Sequence, residues 1–267
     1  MKEILDVARV ALTLSFLFYA SWSDWKKREV SNKVWAVLAP LALLLTFVQL
    51  IMFDTDLLLY ALSFAVTSGM AIILFYAGAF GGADAKALMC LSIALPQHPT
   101  DFFSAFSTSA PAVLVSPLFP ITVFSNSVLL AALTAIYAVL RNLLWKLKTR
   151  SKLFEGFEKE SFGRKLLTLL TGYKMNVTEL ERFEYLYPLE DIDVIEGNRT
   201  NRKLLLMPKD EKREQIIKRI LGAVKAGKIH KDVWVTPGLP MLIFITAGLI
   251  IALVVGDLVW LILTSVL

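Results

Sequence analysis

The sequence predicts an all-α polytopic membrane protein: six transmembrane helices with a small cytoplasmic α+β insertion before the last helix. Three observations carry that reading. The 267 residues are 56% apolar, with a mean hydropathy of +0.62. Apolar residues gather in uncharged runs of about 20, the length that crosses ~30 Å of hydrocarbon. Most of the lysine and arginine falls in one stretch, Lys146–Lys231, interleaved with aspartate and glutamate. An ordinary soluble domain is excluded by that composition.

The first run, Ile4–Trp22, enters a charged loop without a small-residue cleavage site, so it reads as a retained span and not a signal peptide. Val34–Phe53 and Leu57–Ala79 supply the second and third spans. Ala85–Leu95, which ends at Pro96, is short for a crossing, yet it counts as the fourth because the loops on either side otherwise carry the wrong charge for each other. Pro96–Pro120 is apolar and rich in proline and serine, and prolines at 111, 117 and 120 break any helix there. It is expected to pack over the outer surface of the bundle. Ile121–Trp145 and Leu239–Thr264 are the fifth and sixth spans. The chain then divides into a five-helix membrane part at 1–146, a soluble insertion at 147–232 and the closing helix at 233–267. In the insertion, Phe154–Leu170 and Asp210–Val224 have helical apolar spacing, while Arg182–Tyr187 and Lys203–Met207 read as strands.

Loop charge orients the bundle, since lysine and arginine stay on the cytoplasmic side. Lys26, Lys27, Arg28 and Lys33 follow the first span, and Arg141, Lys146, Lys148, Arg150 and Lys152 follow the fifth. Asp54-Thr-Asp56 is purely acidic and Pro96–Pro120 has no basic residue, which puts both outside. A multi-pass protein of the cell membrane results, with both termini outside and the insertion inside. The sequons at Asn176 and Asn198 then lie in the cytoplasm, where no glycosylation is expected.

A lone cysteine, Cys90, excludes an intrachain disulfide framework and a Cys-x-x-Cys metal site, and His98 has no second ligand near it in sequence. No metal or cofactor is expected. Mixed charge without a basic, aromatic stripe argues against nucleic acid. The oligomeric state stays open, and lipids are the obligatory surroundings.

Two carboxylates stand out. Asp24 sits in Ser-Trp-Ser-Asp24-Trp-Lys-Lys-Arg-Glu, and Asp84 in Phe-Gly81-Gly82-Ala83-Asp84-Ala-Lys. Charge beside hydrocarbon is costly, and the topology brings both to the cytoplasmic face. Each has an ordinary role available: Asp84 could cap the helix that follows it, and Asp24 could be an interfacial charge between Trp22 and Trp25. Gly81 and Gly82 would allow a bound peptide backbone to come close. If the two acids share a water, they titrate as a pair, one acting as general base while its protonated partner supports a scissile carbonyl.

Asp24 with Lys-Lys-Arg-Glu-Val-Ser-Asn32, the Gly-Gly-Ala-Asp84-Ala-Lys turn and Trp234-Val-Thr-Pro237-Gly-Leu-Pro240 together resemble the archaeal preflagellin and type IV prepilin peptidases, the GxGD group of membrane aspartyl proteases. The resemblance spans essentially the whole chain. It implies an aspartic endopeptidase that removes a short basic leader from preflagellin or prepilin-like precursors, proteins anchored by their own apolar helix. Asp24 and Asp84 are then the catalytic pair, and Gly81, Gly82, Ala83, Pro237 and Pro240 support the site. Glu29, the nearest further acid, is a candidate contact for the basic leader. The group has glycine where this chain has Ala83, and a left-handed backbone at that position would strain alanine.

A proton-coupled transporter or channel is the alternative, with Asp84 and Asp257 as protonatable stations. It predicts polar residues along several spans, and the second, third and fifth have few. A scaffold that presents the insertion to a partner would leave the Gly-Gly-Ala-Asp84 turn with capping alone.

Overall fold

The computed structural model describes residues 1–53, 56–99, 117–183, 185–195, 199–205 and 210–266. The expected outer loop therefore lies largely outside the described residues, as do Asp54 and the sequon at Asn198. The chain divides into two compact units, Met1–Ala131 with Pro240–Leu267, and Ala132–Leu239.

The first unit is helical. α1 (Lys2–Lys27) ends where Arg28 turns left-handed, at φ 55°, and its amide closes on the Asp24 carbonyl at 3.0 Å. α2 (Asn32–Met52) starts on a Ser31 cap and α3 (Leu57–Tyr76) on an Asp56 cap, whose carboxylate accepts the Leu59 amide at 3.1 Å. α4 (Gly82–Ala94) packs against α1, α2 and α3 and is among the most buried elements, with Leu88 and Ala94 fully enclosed. The outward faces carry Leu43, Leu44, Phe47, Leu58 and Ile73, all more than half exposed. Such a surface suits lipid and not water.

α4 has 13 residues. It rises about 20 Å, well short of the hydrocarbon thickness. Four helices are long and apolar enough to cross a membrane: α1, α2, α3 and α5 (Phe119–Thr149). A fifth follows if α9 (Met241–Val254) and α10 (Leu258–Val266) together make one span. The six full crossings expected from the sequence are thus not met by the helices described. Nor is the last apolar run one straight helix. It bends by 60° at a break where Gly256 takes φ 95° and Asp257 caps α10, accepting the Val259 and Trp260 amides at 2.9 and 3.1 Å.

Because α4 stops early, its terminal carbonyls need partners inside the bundle. Three neighbours supply them. Thr46 of α2 donates to Ile93 O at 2.7 Å, Arg9 of α1 to Ala94 O at 2.8 Å, and Ser63 of α3 to Pro96 O at 2.8 Å. Arg9 is buried and pairs with Asp6 at 3.3 Å.

The second unit is α+β. It holds the second half of α5, α6 (Phe162–Thr171), β1 (Tyr173–Asn176), α7 (Val177–Arg182), β2 (Leu186–Pro188), β3 (Glu190–Ile195), β4 (Arg199–Leu204), α8 (Asp210–Lys225) and β5 (Asp232–Pro237). The β1 and β2 strands pair antiparallel with β5 between them, and β3 and β4 form a hairpin. Val233, Val235, Leu180 and Ile220 fill the core. Three element boundaries differ from the expectation. The helix expected from Phe154 begins at Phe162, behind a Ser161 cap whose side chain takes the Arg164 amide. Arg182 ends a short helix instead of opening a strand, and the strand expected at Lys203–Met207 ends at Leu204. Asn176, the first sequon, is the cap of α7, with its side chain accepting the Thr178 amide at 3.1 Å.

Candidate active site

Both aspartates belong to the helical unit, on elements that pack together. Asp24 lies in the last turn of α1, and Asp84 is the third residue of α4. Asp84 reaches back to accept the Gly81 amide at 3.0 Å. It is thus not the N-cap residue itself but the acid that satisfies the N-cap amide, in a position the helix dipole favours. Asp84 lies within electrostatic reach of Asp24. The Asp24 carboxylate lies near the Leu242 amide, in the first turn of α9, and near the Arg28 charge. Asp84 is thus tied to the N-terminus of its own helix, while Asp24 lies near the N-terminus of α9.

Local sequence explains the placement. Gly81 is extended, at φ −72° and ψ 160°, and a β-carbon there would stand 3.1 Å from Asp84 Oδ2. Gly82 and Ala83 are the first two helical residues. Among the described residues only Arg28 and Arg150 are non-glycines with positive φ, so Ala83 sits in ordinary helical backbone and its methyl packs against the core. The strain foreseen for alanine does not arise. Pro240 is the residue before α9, where a missing amide costs nothing. Pro237 closes β5 in the other unit. Glu29 is exposed beyond α1, and its side chain makes no hydrogen bond or ion pair among the described residues, while its carbonyl accepts from Ser23 Oγ at 2.7 Å.

Two further ties hold the arrangement. Lys86 Nζ donates to Asn32 Oδ1 at 2.7 Å, joining the Asp84 turn to the start of α2. Ser21 Oγ donates to Leu242 O at 2.9 Å and lies 2.8 Å from Thr246 Oγ1, pinning α1 to α9 one turn from Asp24. Sequence reasoning passed over both. Lys86 carried a signal, since a cation so near a helix N-terminus opposes the dipole and needs another reason to be there. Ser21 carried none, because its partners are over 220 residues away.

Cys90 is buried and free, and no group of three metal-ligating side chains occurs among the described residues. Two neighbouring carboxylates, one at the end of α1 and one at the start of α4, can hold and exchange a proton. Comparison with known proteins points to a family of leader peptidases. A model described as the type IV leader peptidase family matches residues 11–136, and one described as archaeal peptidase A24 C-terminus type II matches residues 164–258. A preflagellin peptidase of Methanococcus voltae is 28% identical over 256 residues, covering 92% of this chain and 94% of that protein. One from Methanocaldococcus jannaschii is 26% identical, covering 90% and 91%. The prepilin peptidase EppA of Methanothermobacter thermautotrophicus is 30% identical over 129 residues, covering 47% and 33%.

Proposed function

We propose, since the chain belongs to the type IV leader peptidase family, that it is an aspartyl endopeptidase of the cell membrane whose catalytic pair is Asp24 and Asp84. The observation that supports this reading is that the end of α1, carrying Asp24, and the start of α4, carrying Asp84, belong to helices that pack together, with Asp84 held by the Gly81 amide. One acid takes a proton from water as the water attacks the scissile carbonyl, and the protonated partner donates to the developing oxyanion. As the gem-diol collapses the C–N bond breaks, the base gives the proton it took from water to the leaving amine, and one gem-diol hydroxyl returns its proton to the partner acid. Gly81, Gly82 and Ala83 keep the approach to Asp84 small, and Pro240 starts the helix whose first turn lies near Asp24.

The substrate is a preflagellin or prepilin-like precursor, held by its own apolar helix with a short basic leader in the cytoplasm. The cleavage site then meets the aspartates at the inner membrane boundary. Glu29 offers a negative charge near the base of α1 for the leader. The transporter reading loses support where Asp257 caps α10 and Ser125 Oγ lies 3.3 Å from it, which leaves that acid committed to structure.

The test is processing of a precursor with a basic leader by membranes carrying wild type, Asp24→Asn or Asp84→Asn. Wild type shortens the precursor, and each variant loses at least about 100-fold in rate. Cleavage that survives both substitutions sinks the aspartyl mechanism. A wild type that leaves every such precursor intact but moves protons across liposomes supports the transporter instead.

A further inference from the structure

Lys174 of β1 is the most unusual charge in the second unit. Its side chain is 4% exposed, and its ammonium sits 5.0 Å from the Trp234 ring centroid, 5.6 Å from Phe157 and 6.0 Å from Trp145. The nearest acid oxygen, Glu190 Oε2, is 3.9 Å away, too far for a hydrogen bond. That carboxylate is already engaged, since it accepts from Arg202 Nη2 at 2.7 Å and from the Trp234 amide at 3.0 Å. An ammonium has three donors, and buried donors normally find acceptors. Lys174 Nζ makes no hydrogen bond among the described residues.

The lysine lines a cavity of about 330 Å³, at the small end of ligand-site volumes. Lys152, Lys228 and Arg202 line it too. Lys152 and Lys228 are exposed and form no ion pair among the described residues. Arg202 is nine-tenths buried and its Nε is without a partner. Two acids oppose them: Asp232, which accepts from Trp145 Nε1 at 2.9 Å and lies 3.7 Å from His230 Nδ1, and Glu155, which has no side-chain partner among the described residues. Four cations thus converge with two lining acids on one space, beside the Trp145 ring.

We propose that this cavity is a binding site for a phosphate-bearing molecule of headgroup size, with Lys174 and Arg202 as the buried donors and Lys152 and Lys228 as the rim. An oxyanion supplies the acceptors these groups lack, and its charge balances the excess of cations. A neutral ligand would leave that excess in place. The site is built from residues of the second unit alone and does not depend on the peptidase reading. Phosphate chemistry could arrive as a soluble ion or ester, or on a lipid headgroup.

The experiment uses the full chain in neutral detergent and follows its unfolding midpoint while inorganic phosphate is added at constant ionic strength, or phosphatidic acid is added to the micelles. Wild type, Lys228→Glu and Lys152→Glu are compared; both positions are exposed, so the substitutions do not disturb packing. A midpoint that rises with phosphate alone assigns a soluble ligand, and one that rises with phosphatidic acid assigns a headgroup. In either case each variant needs about tenfold more ligand for the same rise, a loss in keeping with one reversed charge at the site. No rise with either ligand, or equal rises in wild type and both variants, overturns the proposal.

Discussion

A β-carbon at Gly81 would stand 3.1 Å from the Asp84 carboxylate oxygen that accepts its amide, so Gly81→Ala should displace that carboxylate while the helix behind it persists. Processing is expected to fall with little change in unfolding midpoint, and equal loss of both would mean the glycine serves folding instead. Ala83→Gly should be nearly silent in activity, because the backbone there is helical, and should cost at most ~1 kcal/mol in stability. The candidate pair was legible in the sequence because aspartate is rare beside an apolar span and expensive there. Lys174 was not, because it is one among 28 lysines and arginines and only the fold surrounds it with rings. Burial holds its ammonium down to about 8 from an ordinary 10.5, while Glu190, Asp232 and Glu155 oppose that shift and Arg202 adds to it. Between those two values the folded state carries the neutral amine while the unfolded chain keeps its proton, and below about 8 both are charged. Stability of the second unit should therefore rise as pH climbs from about 8 towards 10.5. Lys174→Met should remove that rise, as read by hydrogen exchange of the β1 and β5 amides.

At the scale of elements, α4 is the informative case. Apolar periodicity revealed where it lies but not that three other helices would cap its end, since Arg9, Thr46 and Ser63 are 33 to 85 residues from the carbonyls they hold. A short helix carrying one catalytic candidate is thereby fixed at its far end by side chains from α1, α2 and α3. Arg9→Met removes one cap and breaks a buried ion pair with Asp6, a loss of about 3–5 kcal/mol. Thr46→Val removes a single neutral hydrogen bond, about 1 kcal/mol. Unfolding of the reconstituted protein in rising denaturing detergent should rank the two in that order, and a reversed ranking would mean the Asp6–Arg9 pair contributes nothing to holding α4. The α5–α9 crossing is equally constrained. A β-carbon at Gly248 would press on Ser127 Oγ and stand 2.7 Å from Val123 O. Gly248→Leu should separate those helices and, through α9, move the Leu242 amide away from Asp24.

For the whole molecule, the functional reading depends on the orientation expected from loop charge. Four described helices are long and apolar enough to cross, or five with the bent pair, and α4 is too short to add another by itself. If the chain nevertheless reaches the outer face after α4, the loop carrying Lys26, Lys27 and Arg28 and the second unit both stay in the cytoplasm, on the side where a basic leader would project. Single cysteines in a Cys90→Ala background test this directly. An impermeant maleimide added to intact cells should label Thr55→Cys and leave Lys159→Cys unlabelled until the membrane is opened. The reverse pattern would put Asp24 on the outer face, away from any cytoplasmic leader. Active processing alongside that reverse pattern would keep the aspartyl chemistry and move its substrate across the membrane. Lost processing with the expected pattern would instead indict the residues of the site, because the geometry of delivery would still be right.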